Sequence, residues 1–151
     1  MLTLKEQLRA DLTAAMKSRD ATRTRALRMA LTSISNEEVS GRAARDLTDE
    51  QITTILAREA RRRREAAAAF AEAGREDQAA AERAEELVLA SYLPAQLSDQ
   101  ELAAIVRSAI AQTGASGPGA MGQVMKAVTP QVAGRAEGSR VAALVRSELG
   151  S

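Results

Sequence analysis

Two copies of one helix-start device, Leu47-Thr48-Asp49-Glu50-Gln51-Ile52 and Leu97-Ser98-Asp99-Gln100-Glu101-Leu102, constrain the fold of this chain more than any other feature. In each, a hydroxyl side chain stands where it caps the first free amides of a helix. A Gln or Glu three residues on reaches back to the cap's own N–H, and the leucine before the cap staples to an apolar residue inside the helix. Each copy therefore predicts a helix with a defined first residue. Elsewhere the apolar residues keep a helical period. Leu4, Leu8, Leu12 and Met16 recur every fourth position after Thr3, whose capping partner is Glu6, and predict a helix over 4–18. Leu27, Met29, Ala30, Leu31 and Ile34 predict a second helix that stops near Gly41.

The third helix begins at Thr48, carries Ile52, Ile55 and Leu56, runs through Phe70 and ends at Gly74; Glu76 and Asp77 then suit the positive end of a fourth helix reaching Leu87, Val88 and Tyr92. Pro94 breaks that pattern, and the boundary between two domains is placed there. Beyond it, Leu102, Ile105, Val106, Ala109 and Ile110 form one helix face. Val124, Met125 and Val128 belong to a second helix, and Val141, Leu144, Val145 and Leu149 to a third. No apolar–polar alternation long enough for a strand occurs. The expected fold is all-α: an N-terminal domain of about four helices over 1–93 and a small three-helix domain over 94–151.

Composition limits both stability and chemistry. The chain is 45% hydrophobic, but much of that is alanine and only Phe70 and Tyr92 are aromatic, so the core must come from Leu, Ile, Val, Met and close helix contacts. Modest stability is expected. Histidine and cysteine are both absent. Their absence removes zinc fingers, Ser-His-Asp and Cys-His catalysis, disulfides and Fe–S ligation together. No catalytic residue, metal or cofactor is assigned. With 21 Lys and Arg against 20 Asp and Glu, any nucleic-acid site must be a local patch. No apolar run approaches the roughly 20 residues that cross a bilayer, and the first residues lack a signal peptide's hydrophobic centre. A cytoplasmic protein without a membrane partner is expected.

Four stretches, in order, resemble one known family. They are Arg28-Met29; Arg58-Glu59 through Phe70-Ala71-Glu72-Ala73-Gly74-Arg75-Glu76-Asp77; Tyr92-Leu93-Pro94-Ala95-Gln96-Leu97-Ser98; and the run from Met121 to Gly138. The chain resembles the GatB/YqeY family, which groups small stand-alone YqeY-like proteins with the tail domain of the B subunit of the glutamyl/aspartyl-tRNA amidotransferase. The likeness covers essentially the whole chain. Where the family has Gly-Arg-Ala-Asp-Gly, this chain has Gly134-Arg135-Ala136-Glu137-Gly138, and glutamate caps a helix less well than aspartate. The resemblance implies a helical appendage that holds tRNA, since phosphorylation, amide transfer and glutamine hydrolysis belong to other parts of that complex. The expected function is thus a non-catalytic module binding tRNA or another structured RNA, associated with tRNA-dependent amidation; no DNA partner is expected. The rival readings are a component with carbon–nitrogen ligase activity using glutamine as amido donor, which the family label suggests, and an adaptor that docks on a protein partner.

Candidate sites follow from this. Arg61-Arg62-Arg63-Arg64 is the densest basic run, but consecutive helix positions lie about 100° apart, so the four side chains fan around the axis. Arg58, Arg61 and Arg62 can share a face and Glu59 can pair with Arg63, which favours a solvated face over the alternative of phosphate contact. The stretch Gly114 to Gly122 has no G-K-[ST] after it and reads as a flexible connection, with Ser116 or Gly117 capping the next helix; an RNA phosphate could also be held there. Gly134-Arg135-Ala136-Glu137-Gly138 is the better candidate, because glycines beside an arginine let backbone approach a partner closely. With Lys126 and Arg140 it gives the RNA-contacting set Lys126, Gly134, Arg135, Gly138 and Arg140. The competing reading, a tight turn with Gly138 packed on a neighbouring helix, stays open. Carboxylate pairs such as Glu37-Glu38, Glu76-Asp77 and Glu85-Glu86 are expected at caps or on exposed faces. Met121, Met125 and Val128 are expected in the core. Tyr92 is expected at the domain junction with a local hydrogen bond.

Overall fold

Most helices here start where the sequence supplies an acceptor for their free amides. The structure, a computed structural model, describes residues 1–132 and 135–150. Helix α1 (Leu4–Lys17) begins with the Glu6 amide donating to Thr3 Oγ1 at 3.2 Å, and α2 (Ala21–Glu38) with the Arg23 amide donating to Asp20 Oδ1 at 3.0 Å. Only the Thr3 half of the first capping box forms. The other two boxes close in both directions. At α3 (Asp49–Glu72), Thr48 and Gln51 exchange bonds of 3.1 and 2.9 Å; at α5 (Asp99–Thr113), Ser98 and Glu101 exchange two of 3.1 Å. Between them α4 (Glu76–Ala90) has no side-chain cap but carries Glu76 and Asp77 in its first turn. A 3-10 turn (Pro118–Ala120) leads into α6 (Met121–Val132), and α7 (Gly138–Leu149) ends the chain. Among the described residues there is no strand, and the fold is all-α. Among the described residues, no helix is long and apolar enough to cross a membrane.

The chain divides into two compact units, Met1–Leu93 and Pro94–Ser151. In the first, α3 and α4 form an antiparallel hairpin turned at Gly74, whose φ of +77° is the left-handed conformation that glycine adopts without strain. Helices α1 and α2 pack against it around Leu8, Leu27, Ile34, Ile52, Leu56 and Leu89, with Leu47 against the same cluster. Burying a Leu or Ile of this size contributes about 1.5–3 kcal/mol, so these six dominate the unit's stability. Farther out along the hairpin Ala67 and Ala79 are the buried residues, so its two helices close on small side chains.

In the second unit, residues spaced by four lay one face of each helix into a shared core: Leu102 and Val106 from α5, Val124, Val128 and Val132 from α6, and Val141, Val145 and Leu149 from α7. Leu97 completes the cluster from outside the helices.

Methionine contributes less than composition suggests. Met29, expected on the apolar side of its helix, is 37% exposed, and Met121 and Met125, expected in the core, are only partly buried. Branched and small residues fill the helix contacts instead. Tyr92 packs within the first unit and reaches far in sequence: its hydroxyl donates to Asp11 Oδ2 at 2.5 Å and accepts from Arg23 at 3.4 Å. The expected local bond is replaced by a tie from the end of α4 to α1 and α2. Burial, reinforced by the Asp11 carboxylate, raises the phenol's pKa well above its ordinary value.

Candidate functional site

Leu97 holds the second unit's signature loop from both sides. Its amide donates to the Arg135 carbonyl at 2.8 Å, while its own carbonyl accepts from the Arg140 guanidinium at 2.9 Å. Arg140 also donates to Asp99 Oδ1 at 2.7 and 3.2 Å. Arg140 is therefore a structural clip that ties α7 to the residues just before α5. Sequence pattern gave no sign of this, because the partners lie 41 and 43 positions away.

Arg135 sits differently. Its backbone is fixed, its amide donating to the Val132 carbonyl at 2.8 Å, and its side chain is half-buried. Its guanidinium makes no hydrogen bond or ion pair among the described residues. Its charge is felt nonetheless: the Glu101 carboxyl is held below its ordinary pKa chiefly by its two bonds to Ser98, and also by the positive charge of Arg135. Arg135 and Arg140 are thus brought together around the start of α5. Lys126 stands apart from them on α6, exposed and turned away from the Val124–Val128–Val132 stripe. Gly134 lies outside the described residues.

Helix α7 opens without the usual compensation. Its N-cap Glu137 makes no side-chain cap bond, and its first turn carries no acidic residue. The first intrahelical bond is the Val141 amide to the Glu137 carbonyl at 3.0 Å, so the amides of Gly138, Ser139 and Arg140 precede it. Gly138 is exposed, and a Cβ built on it would meet nothing within 4 Å. The close-packing reading of Gly138 is therefore overturned: neither space nor a positive φ requires glycine there. Gly119 and Gly122 beside the start of α6 are equally unconstrained, whereas Gly114 and Gly117 have φ of +65° and +75° and are needed by the turn itself. Gly117 caps the 3-10 turn.

The residues match a known family along most of the chain: the Yqey-like protein family covers residues 5–149. The chain belongs to that family. No curated protein matches it. In this YqeY-like chain the Arg61–Arg64 run proves to be neutralised. Arg61 pairs with Glu65 at 3.0 Å, Arg62 with Glu59 at 3.0 Å, Arg63 with Glu82 and Glu85 at 3.5 and 3.9 Å, and Arg64 with Glu86 at 3.4 Å. Glu59 takes Arg62 rather than the expected Arg63, which turns inward to α4.

Two carboxylates expected on open surface are buried. Glu59 accepts from Ser33 Oγ at 2.9 Å and Glu85 from Arg25 Nε at 2.7 Å, and both are under 5% exposed. They belong to an ion-pair lattice linking α2, α3 and α4, beside a cleft of about 370 Å³ lined by Arg25, Met29, Arg63, Phe70, Glu82 and Glu85. Every charge in that lattice has a partner of opposite sign. Among the described residues, no cluster of three or more His, Cys, Asp or Glu could hold a metal ion.

Proposed function

We propose that this YqeY-like protein is a non-catalytic module whose C-terminal unit docks on the phosphate backbone of a structured RNA, tRNA first, around Arg135 and the start of α7. The observation that carries the reading is a helix start with no side-chain cap bond and no acidic residue in its first turn, beside a guanidinium that makes no hydrogen bond or ion pair among the described residues. Helix N-termini and arginine guanidinium groups both receive phosphate readily. Gly138, bare where the fold asks for no glycine, leaves that backbone open to close approach. Lys126 supplies a further point charge from α6. The likeness of the Met121–Gly138 signature to the tail of the tRNA-amidotransferase B subunit favours tRNA over other RNAs, and association with tRNA-dependent amidation over an unrelated role.

The test is affinity for total tRNA across a salt series. Each phosphate contact contributes about 0.7–0.9 to the slope of log affinity against log salt. Arg135→Ala should weaken binding about tenfold, similarly across tRNA species, and flatten the slope by somewhat under one unit. Arg107→Ala is the control, because Glu148 already holds Arg107 through two bonds of 3.2 Å. A folded Lys126→Ala/Arg135→Ala protein with unchanged affinity and slope would remove the tail as the RNA site. Ammonia release from glutamine above a boiled control, abolished by one substitution in this chain, would establish the amide-transfer reading instead.

A further inference from the structure

The near-neutral total charge conceals a separation of charge within the first unit. Residues 9–28, which span most of α1, the joint and the first half of α2, hold six cations (Arg9, Lys17, Arg19, Arg23, Arg25 and Arg28) and two carboxylates, Asp11 and Asp20. Residues 29–93 hold nine cations and thirteen carboxylates. One corner therefore carries a net +4 and the rest of the unit −4, with Lys5 and Glu6 cancelling before them.

Both carboxylates of the basic corner are already engaged. Asp11 accepts the Tyr92 hydroxyl, and Asp20 caps α2 through the Arg23 amide. Arg25 is committed to buried Glu85, and Arg23 lies against Tyr92. That leaves Arg9, Lys17, Arg19 and Arg28, all exposed, none with an ion pair among the described residues.

Three of these, Arg9, Lys17 and Arg28, share one side of the α1–α2 hairpin, and Arg19 lies in the joint between the two helices. Leu8 and Ala15 mark the buried face of α1, so Arg9, Thr13, Met16 and Lys17, at i, i+4, i+7 and i+8, line its outer face. Arg28 joins them from α2, with its guanidinium 3.3 Å from Met16 Sδ. Arg19 occupies the joint with a φ of +60°, a conformation that few residues other than glycine and asparagine adopt readily. Arg9 and Lys17 are eight residues apart, about 12 Å along the helix axis. A duplex presents a charge every 1.7 Å or so along its axis, which makes a surface of this length long enough for several phosphates.

We propose that this outer face of α1 and α2 is a second RNA-docking surface, binding the phosphate backbone through Arg9, Lys17, Arg19 and Arg28. The inference rests on the reading that the partner is a structured RNA, but not on the C-terminal site. The face suits a polyanion better than a bilayer. A helix lying in a membrane interface sets large apolar residues beside its cations, and here Met16 is the only large apolar side chain among them. Aromatic side chains for base stacking are also missing from it, so the contact is with backbone and not with sequence.

The experiment compares three full-length variants for total tRNA binding across a salt series and for sedimentation with phosphatidylserine–phosphatidylcholine vesicles. The first removes the patch: Arg9→Gln, Lys17→Gln, Arg19→Asn and Arg28→Gln, with Asn chosen to tolerate the positive φ. The second removes equal charge from paired arginines: Arg45→Gln, Arg61→Gln, Arg64→Gln and Arg83→Gln. The third is Lys126→Ala/Arg135→Ala. The patch variant should lose at least tenfold in affinity near 50 mM salt and about 2.8–3.6 units of salt slope, while the paired-arginine variant stays within about threefold of wild type. Equal losses in the first two variants, or no loss in the patch variant, overturn the proposal. Loss of vesicle binding with unchanged tRNA affinity overturns it in favour of a membrane surface. A patch variant that loses tRNA while the third variant keeps it upholds this surface and removes the C-terminal site; the reverse pattern does the opposite. Should the fourfold variant unfold by circular dichroism, Lys17→Gln/Arg28→Gln should show about half the change in slope, and no change there overturns the proposal.

Discussion

Four arginines stand side by side at 61–64, and four of the six cations scattered over residues 9–28 have no ion pair or tyrosine contact among the described residues; the dense set is electrically quiet and the sparse set is not. Helix geometry explains the first half. Consecutive residues fan around α3, and each arginine meets a carboxylate from its own helix or from α4. The second half follows from what the nearby acids are already doing. Asp11 and Asp20 lie close in sequence to Arg9, Lys17 and Arg19 but are taken up by Tyr92 and by a helix cap. What decides the field of a surface is therefore where the carboxylates are spent, more than how many cations a segment holds. The C-terminal unit repeats the contrast on a smaller scale: Arg107 and Arg140 are held by Glu148 and Asp99, and Arg135 is not.

That comparison can be broken first at the buried end of the α3–α4 lattice. Glu85→Ala should destabilise the protein by about 1.5–3 kcal/mol in urea denaturation, because it removes the buried carboxylate that Arg25 bonds and leaves Arg63 with Glu82 alone. A loss below about 0.5 kcal/mol would mean that the lattice is no more than surface pairing. Next in size is Arg140→Ala, expected to cost about 1–3 kcal/mol by releasing the Leu97 carbonyl and Asp99. Its effect on tRNA binding should vanish once the stability loss is corrected for, unlike that of Arg135→Ala.

Tyr92→Phe should cost about 1–2 kcal/mol. Because the folded phenol titrates above its ordinary value of 10.0, this stabilisation is fully present below that pH and is lost as pH rises beyond it. Absorbance titration reads the group directly, as Tyr92 is the single tyrosine and tryptophan is absent. A phenolate midpoint at or below 10 would contradict the buried contact with Asp11. Glu101 has the opposite sign. Its carboxyl is depressed, so its contribution is present above the ordinary value of 4.5 and is lost as pH falls below it. Glu101→Gln should remove that acid dependence from the melting of the second unit. Smallest of all, Arg61→Ala should change stability by less than about 0.5 kcal/mol, since both members of its pair are more than half exposed.

The helices were legible because their signals are local. Thr48 with Gln51, Ser98 with Glu101, and the four-residue spacing in both cores each lie within one or two turns of chain. Gly74 was readable as a helix end for the same reason. Partners were not legible. Arg140 meets Leu97 and Asp99 across more than 40 positions, Tyr92 meets Asp11 across 81, and Glu85 leaves the surface only because Arg25 waits on another helix. Gly138 shows the same limit from the other side: whether a glycine is needed by its own fold depends on what lies beside it in space. Sequence could nominate Arg135, but only the bonds around it separate it from Arg140.

The claim that cations without carboxylate partners carry the RNA contact is tested most directly by the salt slope of the wild-type protein on total tRNA. The six cations assigned to the two proposed surfaces, Arg9, Lys17, Arg19, Arg28, Lys126 and Arg135, at about 0.7–0.9 units each predict a slope of log affinity against log salt of roughly −4 to −5.5. Binding with a slope shallower than about −2 would contradict the account, because so few phosphates could not engage both surfaces.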